Sequence, residues 1–137
     1  MAHPGGPSAV ARFAPPLALM AVIFALSAQP DLNSGLGTID LVGRKLVHIT
    51  EYGLLWLLWL RAFGWRRPWA AAAIAVSYAI TDELHQTTVH GRHGSPVDVL
   101  IDTTGIAIAW LLWRARERRR ATHGTTETAV SGPPAPT

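Results

Sequence analysis

The chain has 137 residues, 49% hydrophobic and only 15% charged, and it contains no Cys. Its net charge is +3 and its mean hydropathy is +0.20. That composition excludes a disordered chain, which needs low hydrophobicity and high charge. It also excludes a disulfide scaffold and, at this length, an array of several domains.

Met1–Pro7 is rich in Gly and Pro and reads as a flexible start. Four apolar runs follow. The first, Phe13–Ala28, comes after Arg12 and closes at Gln29-Pro30. The second runs from Leu46 to Phe63 and stops at Gly64. The third opens behind Pro68, stays apolar from Trp69 to Ile80, and continues as a polar-tipped helix to Gln86. The fourth, Val97–Trp113, opens behind Ser95-Pro96. Gly and Pro at these places are helix stop and start signals. Each run is near the roughly 17–25 residues that a helix needs to cross a bilayer. The expected division is a flexible start over 1–12, a four-helix transmembrane domain over 13–116 and a disordered tail over 117–137.

A soluble four-helix bundle would show a charged outer face. Leu54–Leu60 is apolar all round and Trp69–Ala79 carries no charge, so an all-α integral membrane bundle of four transmembrane helices is expected instead. Ala25-Leu26-Ser27 has the small residues of a signal-peptide cleavage site. With three further runs downstream, the first run is read as a retained helix.

Four spans put both termini and the second connection on one side. Nine of the twelve basic residues fall there: Arg12, Arg61, Arg66, Arg67, Arg114, Arg116, Arg118, Arg119 and Arg120. The positive-inside rule then makes both termini cytoplasmic. Trp65, Trp69, Trp110 and Trp113 mark the same boundary. The arginine-rich end reads as an anchor at anionic lipid head groups, and no nucleic-acid partner is expected. Seven of the nine acids fall on the other side, with His48, His85, His90 and His93. Polar groups in spans are costly and usually functional.

At about 100° per residue, Lys45, His48 and Tyr52 share one face of the second helix, with Glu51 beside His48. On the third, Tyr78, Asp82, His85 and Gln86 share a face, and Glu83 points elsewhere. On the fourth, Asp98 and Asp102 stack, and Gly105 and Ala109 continue their stripe with small residues that allow close helix approach. Plainer roles also fit: Asp98 as the acid of a helix start behind Ser95 and Pro96, and Lys45 and Arg92 as snorkelling cations. His48/Glu51 and Asp82/His85 have a spacing used in bundle metal sites. No complete metal-ligand signature appears, so no metal or cofactor is assigned.

Lys45-x-x-His48-x-x-x-Tyr52, Asp82-Glu83-x-His85-Gln86, Arg92, Ser95, Asp98, Asp102 and Gly105, in that order, resemble the VanZ-like membrane proteins. So does Ser27-Ala28-Gln29-Pro30. The resemblance covers about residues 14–114. The family commonly carries Asn where Asp102 stands, so it carries no catalytic or ligand role over to that residue. The founding member is associated with resistance to the glycopeptide antibiotic teicoplanin.

The expected protein is a multi-pass cell-membrane protein of the envelope, surrounded by membrane lipids. Its outward polar cluster would bind or modify a lipid-linked cell-wall intermediate, a phospholipid or a glycopeptide antibiotic. The binding residues would be Lys45, His48, Tyr52, Asp82, Glu83, Gln86, Arg92, Ser95 and Asp98. The alternatives are a hydrolase or transferase on a lipid-linked substrate, with His48, Asp82, Glu83 and His85 as catalytic candidates, and a structural accessory subunit.

Overall fold

The computed structural model describes residues 8–29, 38–90 and 94–130, without the side chains of 40, 41 and 123–130. Arg92 and His93 therefore lie outside the described residues. Those described form four helices and no strand: α1 (Ala9–Ser27), α2 (Thr38–Ala62), α3 (Pro68–Gln86) and α4 (Pro96–Val130).

Helix α1 starts ahead of the expected Phe13 because Ser8 supplies a cap. Its Oγ accepts from Ala11 N at 3.2 Å, taking up one of the donors that a helix start leaves open. Helix α2 also starts earlier than its apolar run. Helix α4 continues through Arg114–Ala121 to Val130, where the sequence reads as a tail from residue 117. Arg, Ala and Glu in that stretch are strong helix formers, and Arg120 Nη1 pairs with Glu117 Oε1 at 3.3 Å.

Helix α2 ends at Ala62, and Gly64 closes it as the sequence expects. Trp65 N donates to Leu60 O and Gly64 N to Arg61 O, both at 2.9 Å, which is a Schellman closure. Gly64 has φ 63°, a value that glycine adopts without a steric penalty. The Arg12 guanidinium donates through Nε to Ala62 O at 3.0 Å, so the start of α1 caps the end of α2. At the other end Ser27 of α1 reaches Asp82 of α3, and Lys45 of α2 reaches Asp98 of α4. The helices thus run alternately up and down. One end gathers the start of α1, the end of α2 and the start of α3; the other gathers the polar residues.

The core is an aromatic and alanine stack. Tyr52, Leu55, Trp56 and Leu60 of α2 pack on Ala71, Ala75 and Ala79 of α3 and on Ile106 and Ala109 of α4, with Ile23 of α1. Trp56 stacks on Trp110 at 5.6 Å, and its Nε1 donates to Pro68 O at 3.2 Å. The closest helix approach is α2 on α4: a Cβ on Gly105 would sit 2.1 Å from Ile49 O, and one on Gly53 2.9 Å from Gly105 O. The small-residue stripe of the fourth helix therefore does what its composition implies.

The exterior is apolar, with Leu17, Val22, Phe24, Leu26, Leu111 and Leu112 all exposed. Of the four expected spans, two are long and apolar enough by length and composition: α1 and Pro96–Thr122 of α4. Among the described residues α2 and α3 do not reach that standard. Helix α2 holds Arg44, Lys45, Glu51 and Arg61, and α3 spends its last turn on Asp82-Glu83-Leu84-His85-Gln86.

Candidate functional site

The polar end is built in rungs between α2 and α4. Lys45 Nζ donates to Asp98 Oδ1 at 2.9 Å, with both side chains about one third exposed. One turn deeper, His48 Nδ1 faces Asp102 Oδ1 at 3.1 Å, and Asp102 is fully buried. The next turn is the Gly105 contact, where backbone meets backbone. Three residues on α2 and four on α4 both advance about one turn, so the rungs keep register and the glycine brings them within reach.

Helix α3 supplies the third wall. Asp82 accepts from Ser27 Oγ at 2.8 Å and from Gln86 Nε2 at 3.1 Å, which ties it to α1. Glu83 turns to α4: its Oε2 accepts from the Ser95 backbone N at 3.0 Å. Ser95 Oγ in turn accepts from Val97 N at 3.1 Å, the expected N-cap. The acid of that cap is not Asp98, however. Glu83 takes the Ser95 N–H, and Asp98 is left for Lys45.

Side-chain ligand atoms of His48, Glu83 and Asp102 lie within 4.8 Å of one another. Tyr52 lies beneath them, its ring 6.3 Å from that of His48. Buried polar atoms without a hydrogen bond among the described residues include Asp102 Oδ2, Asp82 Oδ1 and the Tyr52 hydroxyl.

Most of the expected site residues therefore converge: Lys45, His48, Tyr52, Asp82, Glu83, Gln86, Ser95 and Asp98. Three expectations are corrected. Glu83 does not point away; it is 5% exposed and faces α4. No hydrogen bond joins His48 to Glu51 or Asp82 to His85, because Asp102 on α4 and Ser27 on α1 provide the partners. His85 stacks on Phe24 instead, with ring centroids 4.3 Å apart. Tyr78 leaves the cluster and donates to Met20 O at 2.5 Å. Sequence reasoning missed Asp102 and Ser27 as site residues. The Asp98/Asp102 stripe was a signal for the first, and the family-like Ser27-Ala28-Gln29-Pro30 segment was one for the second.

The VanZ/LLP1 family model matches residues 10–117. The chain belongs to the VanZ/LLP1 family. Among curated proteins and among solved structures, nothing matches it. The matched span takes in nearly all of α1, the whole of α2 and α3, and α4 as far as Glu117, and with them every rung of the polar end. Family membership and the clustered polar side chains thus coincide on one stretch of chain.

Proposed function

We propose that this VanZ-family chain is a membrane protein of the cell envelope whose polar end faces outward and binds the head group of an anionic lipid, a lipid-linked cell-wall intermediate above all. The reading rests on one observation. The Lys45–Asp98 rung, about one third exposed, lies above partly buried His48 and buried Glu83 and Asp102, at one end of a bundle with an apolar exterior. An ammonium at such a mouth is a donor for phosphate, and the sequence offers Arg92, between α3 and α4, as a guanidinium of the kind that binds phosphate bidentately. The family's association with glycopeptide resistance agrees with a ligand at the outer surface. The test is native mass spectrometry of the full chain with its co-purified lipids. Wild type should carry anionic lipid or added lipid-linked precursor, and Lys45→Ala with Arg92→Ala should lose it. Unchanged lipid retention in the double variant sinks the reading.

One contact favours a second reading, hydrolysis or transfer on the same class of lipid. Asp102 on His48 Nδ1 fixes the imidazole so that its other nitrogen is available as a base. Turnover of a lipid-linked substrate that His48→Ala abolishes, with lipid binding retained, would favour it over binding alone.

A further inference from the structure

We propose that His48, Glu83 and Asp102 form a site for one divalent transition-metal cation, Mn2+, Fe2+ or Zn2+. The site stands whether or not a lipid head group binds above it.

Geometry comes first. Each residue offers one ligand atom, and the three atoms lie within 4.8 Å of one another. Ligands bound at about 2.0–2.2 Å around an ion lie roughly 3.0–3.4 Å from each other. His48 Nδ1 and Asp102 Oδ1 are already 3.1 Å apart, so one edge of the triangle stands at ligand spacing and Glu83 supplies the third corner within 4.8 Å. The ligands come one each from α2, α3 and α4. That is why no local spacing in the sequence announces them.

The second observation is independent. Asp102 is 0% exposed, and its Oδ2 has no hydrogen-bond partner among the described residues. A purely structural ion-pair network leaves this carboxylate oxygen buried and unsatisfied, which is costly. A cation held by the same carboxylate removes that cost. Asp82, the other deeply buried carboxylate of the region, also keeps one oxygen without a partner, but its Oδ2 is tied to Ser27 and Gln86 and it joins no group of three ligand atoms among the described residues. Lys45 is committed to Asp98.

Charge and ligand type select the ion. Two carboxylates and a neutral imidazole carry two negative charges, matching a dication. Ca2+ takes about 6–8 oxygen ligands, whereas a nitrogen donor with two carboxylates suits the borderline first-row metals. Three protein ligands leave at least one coordination position open. The His48 side chain is 21% exposed, which provides a path to it from the Lys45–Asp98 mouth.

The test uses the full chain purified in detergent, stripped with chelator and dialysed against Mn2+ or Zn2+. Wild type should retain about one equivalent by elemental analysis. His48→Ala, Glu83→Gln and Asp102→Asn should each weaken retention by at least roughly tenfold. His90→Ala, on the exposed connection, should bind as wild type does. Bound Mn2+ in the wild type should also show coupling to a single imidazole nitrogen in pulsed electron paramagnetic resonance. That readout stands even where a variant fails to fold. Three results overturn the site: no retention by wild type, Mn2+ without nitrogen coupling, or folded variants that bind as tightly as wild type.

Discussion

Asp82 and Glu83 are neighbours in sequence, yet they serve different helices. About 100° of rotation separates them on α3, which sends Asp82 to Ser27 on α1 and Glu83 to Ser95 at the start of α4. A wheel drawn on one helix sees that divergence but not that both directions are occupied. This is why Glu83 looked misplaced from the sequence, and why the imidazole partners were sought within each helix. The residue types of the site were legible; their pairing was not, because apart from the Gln86 contacts to Asp82 and Glu83 within α3 the pairings cross between elements. Ser27→Ala tests the crossing to α1. It removes one hydrogen bond from a carboxylate that is 1% exposed, and about 1 kcal/mol of stability should go with it. Reversible unfolding in mixed micelles measures the loss; an unchanged midpoint would mean that Gln86 alone holds Asp82. Lys45→Ala should behave differently. Its pair is about one third exposed on both sides, so less than about 1 kcal/mol should be lost. Stability and lipid retention, measured on the same sample, should therefore separate at Lys45.

Between elements, the decisive contact is a glycine. Gly105 meets the backbone of Ile49 so closely that an added methyl group would sit 2.1 Å from Ile49 O. Ile49 adjoins His48 on α2, and Asp102 lies one turn before Gly105 on α4. The separation of the helices at this point therefore sets the length of the His48–Asp102 rung. Gly105→Ala should push α2 and α4 apart, lower stability by roughly 1–3 kcal/mol as overpacking does, and weaken any ligand shared across the rung. Gly43→Ala is the matched control: nothing lies within 4 Å of its Cβ position, and better helix propensity should raise stability by up to about 1 kcal/mol. Thermal unfolding of the pair checks both signs at once. The Gly105/Ala109 stripe was readable because small residues at one-turn spacing carry a packing meaning on their own. The start of α2 at Thr38 was not readable from hydropathy, because its first turns bring Arg44 and Lys45 to the polar end instead of continuing the apolar run.

At the scale of the whole molecule, the alternation of the four helices sorts the charges. Arg12, Arg61, Arg66 and Arg67 sit at the end where α1 begins and α2 hands over to α3. Lys45, Asp82, Glu83, Asp98 and Asp102 sit at the opposite end. Counting arginines along the chain was enough to foresee this split, because an up-and-down order fixes which connections lie together. Hydropathy alone was a poorer guide. It gives α1 and α4 the look of spans, while α2 and α3 carry the polar site and lose that look for the same reason. If the bundle is inserted as the arginines direct, the basic end faces the cytoplasm. The absence of cysteine from the sequence makes this directly measurable. Thr88→Cys places a single thiol on the exposed connection after α3, at the polar end, and Arg66→Cys places one at the basic end. In intact cells a membrane-impermeant maleimide should label Thr88→Cys and leave Arg66→Cys untouched until the membrane is permeabilised. Labelling in the reverse order would turn the polar site toward the cytoplasm and remove the extracellular ligands from consideration. Equal labelling of both in intact cells would mean that the bundle does not cross the membrane as an up-and-down unit.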